Sequence, residues 1–269
     1  MEAMTGDDFP AREQVAMNTF RFGRRFQSFL PTTLLISLVT LSSTRVCLGQ
    51  ADPHATTHQY VVSVQDLKMT GKGHAAFDKG SQLLDKGDTL GSIAYLEQAI
   101  AENPEHYTAY YDLGVARFRL AQQTEAEQAF QKAIDLTKGN FAPPQFGLGA
   151  ILCQRGEFPQ AVTLLQRALD LEPGSAIGKY YLGWAQFGLN RLIEAERAVE
   201  QALLRNANFA QAYSLLARIH HRQHNLPAML KDLECYLKLD PSKEEVRSLA
   251  EQVKREIAQD AAIVATAKP

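Results

Sequence analysis

A period of about 34 residues runs from Gly73 to Lys243, and it constrains the fold more than any other feature of the chain. Windows set by Pro104, Pro173 and Pro241 begin at Gly73, Tyr107, Ala142, Ala176 and Ala210. Their eighth residues are Gly80, Gly114, Gly149, Gly183 and Ala217; their twenty-seventh are Ala99, Ala133, Ala168, Ala202 and Tyr236. Self-similarity at that spacing describes a stack of one supersecondary unit, each copy too small to bury its apolar face alone. Such a stack is expected to hold something, not to enclose a reaction.

Each window reads as two helices joined by a tight turn. In the third, apolar Phe146, Leu148, Ala150, Ile151 and Leu152 give way to Arg155-Gly156-Glu157. A second stripe follows through Ala161, Leu164, Leu165, Ala168, Leu169 and Leu171, and Pro173-Gly174 closes the unit. Spacings of three and four residues mark one face of a helix. Gly156 supplies the turn, and Pro173 cannot continue a helix. Small residues at the eighth, twentieth and twenty-seventh places mark where two helices cross closely. Ala126, Ala161 and Ala195 fill the twentieth place, with Ser92 and Met229 there in the end windows.

With Leu113-Gly114, Leu148-Gly149 and Leu182-Gly183 as its clearest signatures, this pattern resembles the tetratricopeptide-repeat family. The resemblance implies an all-α, right-handed superhelical solenoid of five helix-turn-helix repeats, at 73–106, 107–141, 142–175, 176–209 and 210–243. The second window carries one extra residue near Gly139-Asn140, and Lys138 and Ala207 stand where a closing Pro is expected. Ser242 with Glu245 reads as a capping box. Val246, Leu249, Val253 and Ile257 then put one apolar stripe on a charged helix over 244–259, the polar-backed cap that a repeat array needs. Residues 260–269 read as a disordered tail.

The front of the chain reads as an address. Arg21, Arg24 and Arg25 precede an uncharged run from Phe29 to Thr44, and small residues follow around Gly49 and Ala51. This predicts a signal peptide over 1–51, with Met17 as a more typical start because Glu2, Asp7, Asp8 and Glu13 precede it. The run falls short of the roughly 20 apolar residues that span a membrane, so export with cleavage is expected before anchoring. Residues 52–72 read as a linker or an extended arm, with Tyr60, Val61, Val62 and Val64 as a β-branched patch.

Function is expected on the first helix of each window. Its fifth places hold Phe77, Tyr111, Phe146 and Tyr180; its ninth and twelfth add Phe118, Trp184 and Phe187. The resemblance implies that these places line a concave groove, here an aromatic one for a peptide or helix of a partner protein. Aromatic patches are where binding hot spots concentrate. The alternative is that the rings fill the space between repeats. No clamp of Lys, Asn and Arg for a partner's C-terminal carboxylate is visible at these places.

His220 and His224, one helical turn apart, have no third ligand nearby, so neither a metal nor another cofactor is expected. An enzyme or metal-binding protein using that pair is the alternative of a different class. There is no phosphate loop and no nucleophile elbow, so no catalytic residue and no small-molecule substrate are inferred. A net charge of −2 with no basic cluster argues against a nucleic-acid partner. Cys153 and Cys235 read as small buried hydrophobes too far apart to pair. The chain thus reads as an exported, periplasmic or secreted scaffold. A membrane-tethered assembly factor of an envelope complex is the runner-up, with membrane contact only if the N-terminal segment is uncleaved.

Overall fold

The computed structural model describes residues 71–266. The expected signal peptide, the Met17 start and all but the last two residues of the arm lie outside them. The described residues form eleven helices and no strand. Five hairpins follow one another: α1 (Gly71–Asp85) with α2 (Thr89–Glu102), α3 (Tyr107–Arg119) with α4 (Gln123–Leu136), and α5 (Ala142–Gln154) with α6 (Phe158–Leu171). Then come α7 (Ala176–Gly188) with α8 (Leu192–Arg205), and α9 (Ala210–Arg222) with α10 (Leu226–Leu239). The long helix α11 (Glu244–Thr266) closes the array. It is an all-α repeat solenoid, and four of the five first helices begin at the first residue of their windows.

The small residues do what their spacing implies. A Cβ built on Gly80, Gly114, Gly149 or Gly183 would meet Leu96, Phe130, Leu165 or Val199, the twenty-fourth residue of the same window. All four of those side chains are wholly buried, so each hairpin closes with a large residue seated against bare backbone. Burying such a side chain contributes roughly 1.5–3 kcal/mol. In the fifth repeat Ala217 carries the methyl its predecessors lack, and Met229 and Tyr236 fill the other close places.

The five intra-repeat turns share one device. The fifteenth residue of each window, Gly87, Ala121, Gly156, Asn190 or His224, has φ between 57° and 84°. The left-handed region ends each first helix abruptly so that the second can fold back. The extra residue of the second window is absorbed where Lys138 and Gly139 both take positive φ, 52° and 76°.

Two expectations for the C-terminal end are corrected. Ser242 does not cap with Glu245: its hydroxyl donates to Asp240 Oδ1 at 2.5 Å, and α11 begins only at Glu244. Nor does the chain fray at residue 260, because α11 continues to Thr266. Val246, Ala250 and Val253 dock that helix on Met229, Leu233 and Tyr236, which protects the last repeat.

Neighbouring first helices pack on one another, α1 on α3, α3 on α5, α5 on α7 and α7 on α9. No two second helices of adjacent repeats do so to a comparable extent. In a curved stack the elements that touch lie on the shorter, inner circumference. The odd-numbered helices α1 to α9 are therefore the inner wall.

Candidate partner-binding site

The structure brings the aromatic series to the inner wall but buries most of it. Phe77 is 4 % exposed, Phe118 6 %, Phe146 1 %, Tyr180 6 % and Phe187 6 %. An open ladder along these five residues is thus corrected, and the physical reason lies in the joints between repeats. Three of the four fifth-place rings meet the residue just ahead of the next first helix, and the fourth meets the first turn of that helix. Phe77 stands 4.5 Å from His106, Tyr111 5.7 Å from Phe141, and Tyr180 4.8 Å from Phe209, centroid to centroid. Phe146 lies where a Cβ on Gly178 would be. These rings fasten one repeat to the next. Spacing alone gave the face they occupy but not what packs opposite; His106, Phe141 and Phe209, recurring just before a window, were the missed signal.

Two of the seven keep accessible surface. Tyr111 and Trp184 are partly exposed at the edge of the core. Trp184 is braced by Tyr180 at 6.3 Å and by stacking on Tyr181 at 6.2 Å. Burial raises the Tyr111 hydroxyl well above its ordinary value, with Asp112 adding to the effect. That phenol stays neutral.

Beside Trp184 lies a feature the spacing did not reveal. The guanidinium carbons of Arg218 and Arg222 each sit 5.0 Å from the centre of the Phe187 ring. Cation–π stacking of this kind fixes the plane of a guanidinium. Phe187 is thus closed off by two cations of the next repeat.

The His220–His224 pair dissolves as a ligand set. His224 is the left-handed turn residue after α9. His220 is buried, with Nδ1 2.6 Å from Asp232 and Nε2 3.2 Å from Glu196. Both ring nitrogens are thus engaged by carboxylates of the chain itself. The hydrogen bond to Asp232, followed by that to Glu196, raises the His220 pKa against the opposing effect of burial. Gln223, with His220, holds the Glu196 carboxyl below its usual range. Among the described residues no group of three or more His, Cys, Asp and Glu could hold a metal ion.

That cluster is one of a series of joints. Arg117 of the second repeat pairs with Glu97 of the first at 2.6 Å, and Arg155 of the third with Glu127 of the second at 2.5 Å. His220 of the fifth pairs with Glu196 of the fourth at the same kind of joint. Of the two cysteines among the described residues, Cys153 is buried, its thiol pushed up to about 12 by burial, while Cys235 is only partly buried.

Comparison with known proteins agrees with the repeat geometry. Two models, each described as a tetratricopeptide repeat, match residues 77–141 and 152–219. Among solved structures, TTC0263 of Thermus thermophilus, a thermophilic TPR protein, superposes with a TM-score of 0.58 at 19% identity, over 67% of this chain and 98% of that one. PilF of Pseudomonas aeruginosa gives 0.60 at 16% identity, over 76% and 90%. Cut9, solved with Hcn1 as part of the APC/C, gives 0.63 at 19% identity, over 67% and 36%. Identities this low establish the fold alone. A search of curated proteins gives no significant match.

Proposed function

This chain belongs to the tetratricopeptide-repeat family, a family of protein-interaction scaffolds, and from that premise we propose that it is a non-catalytic scaffold whose inner wall binds a segment of a partner protein. One observation carries the reading: the wall of first helices ends, over repeats four and five, in a braced and partly exposed Trp184 beside two stacked arginines. Aromatic and arginine side chains supply most of the energy at protein interfaces. Near-balanced charge supports a protein over a nucleic-acid partner.

Hydrogen–deuterium exchange of the full chain, alone and with a partner captured from cells, tests the reading. Added protection is expected along α5, α7 and α9. Protection confined to the even-numbered helices would place the site elsewhere and overturn it.

The basic start and short uncharged run of residues 21–51 support export with removal of that segment. Sequencing the N-terminus of protein from the extracytoplasmic fraction is expected to find a new end near Ala51. An intact Met1 or Met17 in a membrane fraction would favour the tethered assembly factor instead. Among the described residues, no helix is long and apolar enough to cross a membrane.

A further inference from the structure

We propose that the outer face of α8 is a self-complementary surface on which a second copy of this chain docks, its own α8 running antiparallel. The contact is independent of whatever the inner wall holds.

The first support is a stripe of exposed residues. Ile193 and Leu204, near opposite ends of α8, are 69% and 84% exposed. They stand eleven residues apart, which is about three turns and roughly 16 Å along the axis, so both leave the same side of the helix. Arg197 and Glu200, also exposed, fall between them on that side. A single apolar side chain on a surface needs no explanation. Here two of them flank a cation and an anion in one line, and the neighbouring repeats lack the arrangement. The eighteenth and twenty-ninth places of the window hold Thr124 and Asp135 in the second repeat, Pro159 and Asp170 in the third, and Pro227 and Lys238 in the fifth.

The second support is symmetry. A closed dimer buries the same patch from both copies, so one end of the patch must fit the other. Ile193 and Leu204 lie at equal distances from the midpoint between Ala198 and Val199, and so do Arg197 and Glu200. An antiparallel copy centred there sets Ile193 on Leu204 of the second copy and Arg197 on Glu200 of the second copy, and each pairing occurs twice. A parallel copy would instead set Arg197 on Arg197 and Glu200 on Glu200, which like-charge repulsion opposes. The charges thus select the direction, and the apolar ends select the register.

The third support is the next helix. Exposed Lys231 and Glu234 occupy on α10 the places that Arg197 and Glu200 occupy on α8. A twofold axis that crosses α8 at right angles within the plane of contact turns α10 toward α10 of the second copy, Lys231 toward its Glu234. Apolar residues at the centre with charges around them are the usual anatomy of an interface. Two apolar side chains from each copy make a small centre, so the dimer is reversible and its population follows concentration. Because the contact lies on the outer face, both inner walls stay open. A dimer would then engage a partner at two sites at once, a consequence that rests on the scaffold reading.

Sedimentation equilibrium of the full chain, from micromolar to hundreds of micromolar concentration, tests the contact. A monomer–dimer equilibrium is expected, and Leu204→Asp should weaken it by about tenfold or more. Arg197→Glu sets glutamate against glutamate across the axis and should weaken it by a similar factor of about ten. The R197E/E200R variant restores opposite charges there, and its affinity should return to within about threefold of the wild type. Circular dichroism checks that each variant is folded; should L204D not be, the charge exchange carries the comparison. A chain that stays monomeric throughout overturns the proposal and leaves the scaffold reading standing. So does an association that L204D and R197E leave unchanged, which would place the contact on another surface. Failure of E200R to rescue R197E overturns the antiparallel pairing and the proposal with it.

Discussion

Replacing Gly147 with alanine is expected to wedge the second and third repeats apart. A Cβ there would fall 2.5 Å from Phe130 Cζ, and one on Gly114 would fall 2.6 Å from Cδ1 of the same ring. Phe130 has no exposed surface and a glycine on either side, so the ring has nowhere to swing. Overpacking of this kind costs roughly 1–3 kcal/mol. Exchanging glycine for alanine inside a helix restores about 1 kcal/mol. The net loss is therefore about 0–2 kcal/mol, and the more decisive quantity is the coupling to Phe130. Phe130→Ala alone leaves a cavity and costs about 3–5 kcal/mol. In that background the new methyl has room, and only the helical gain remains. Urea denaturation of the wild type, both single variants and the double variant, followed by circular dichroism, should give a coupling energy of about 1–3 kcal/mol. Additivity within about 0.5 kcal/mol would refute the clamp, and with it the register in which these repeats stack.

Three further outcomes are expected. The raised pKa of His220 means that its ion pairs contribute fully below the ordinary histidine value of 6.5 and fade as pH rises through the folded value. Melting temperature should therefore fall on the alkaline side, and His220→Gln should flatten that slope; an unchanged slope would show that another group titrates. Ala121 is exposed at φ 59°, so Ala121→Gly should stabilise the second hairpin by up to about 1 kcal/mol in the same denaturation assay, and destabilisation would contradict the turn assignment. The single tryptophan should show intermediate quenching by iodide, as its partial exposure demands, and a wholly shielded emission would mean that Trp184 is core.

Much of the fold is legible because glycine and alanine recur where helices cross. Gly149 is unambiguous in the sequence, and the structure seats Leu165 against it. Turns were legible where the residue was Gly156, and not where Ala121, Asn190 or His224 takes the same left-handed conformation. Burial of the aromatic rings was not legible, since helical spacing gives a face but not what opposes it. Tyr180 is covered by Phe209 from the start of the next repeat, a contact across 29 residues of chain. His220 was obscure for the same reason: its partners come from α8 and α10, and neither stands beside it in sequence. Ser242 shows the opposite failure, a local motif overridden when its hydroxyl donates to Asp240.

The inner wall's competitor as a docking surface is the outer face of α8, where Ile193 and Leu204 are 69% and 84% exposed. Site-specific photo-crosslinking in cells separates the two. A photoreactive residue is placed in the full chain at Trp184 or Arg222 on the inner wall, and at Ile193 or Leu204 on the outer face. Adducts to a common partner from the two inner positions, and not from the outer ones, are the predicted result. Adducts from Ile193 and Leu204 alone would contradict the assignment of the inner wall as the binding surface.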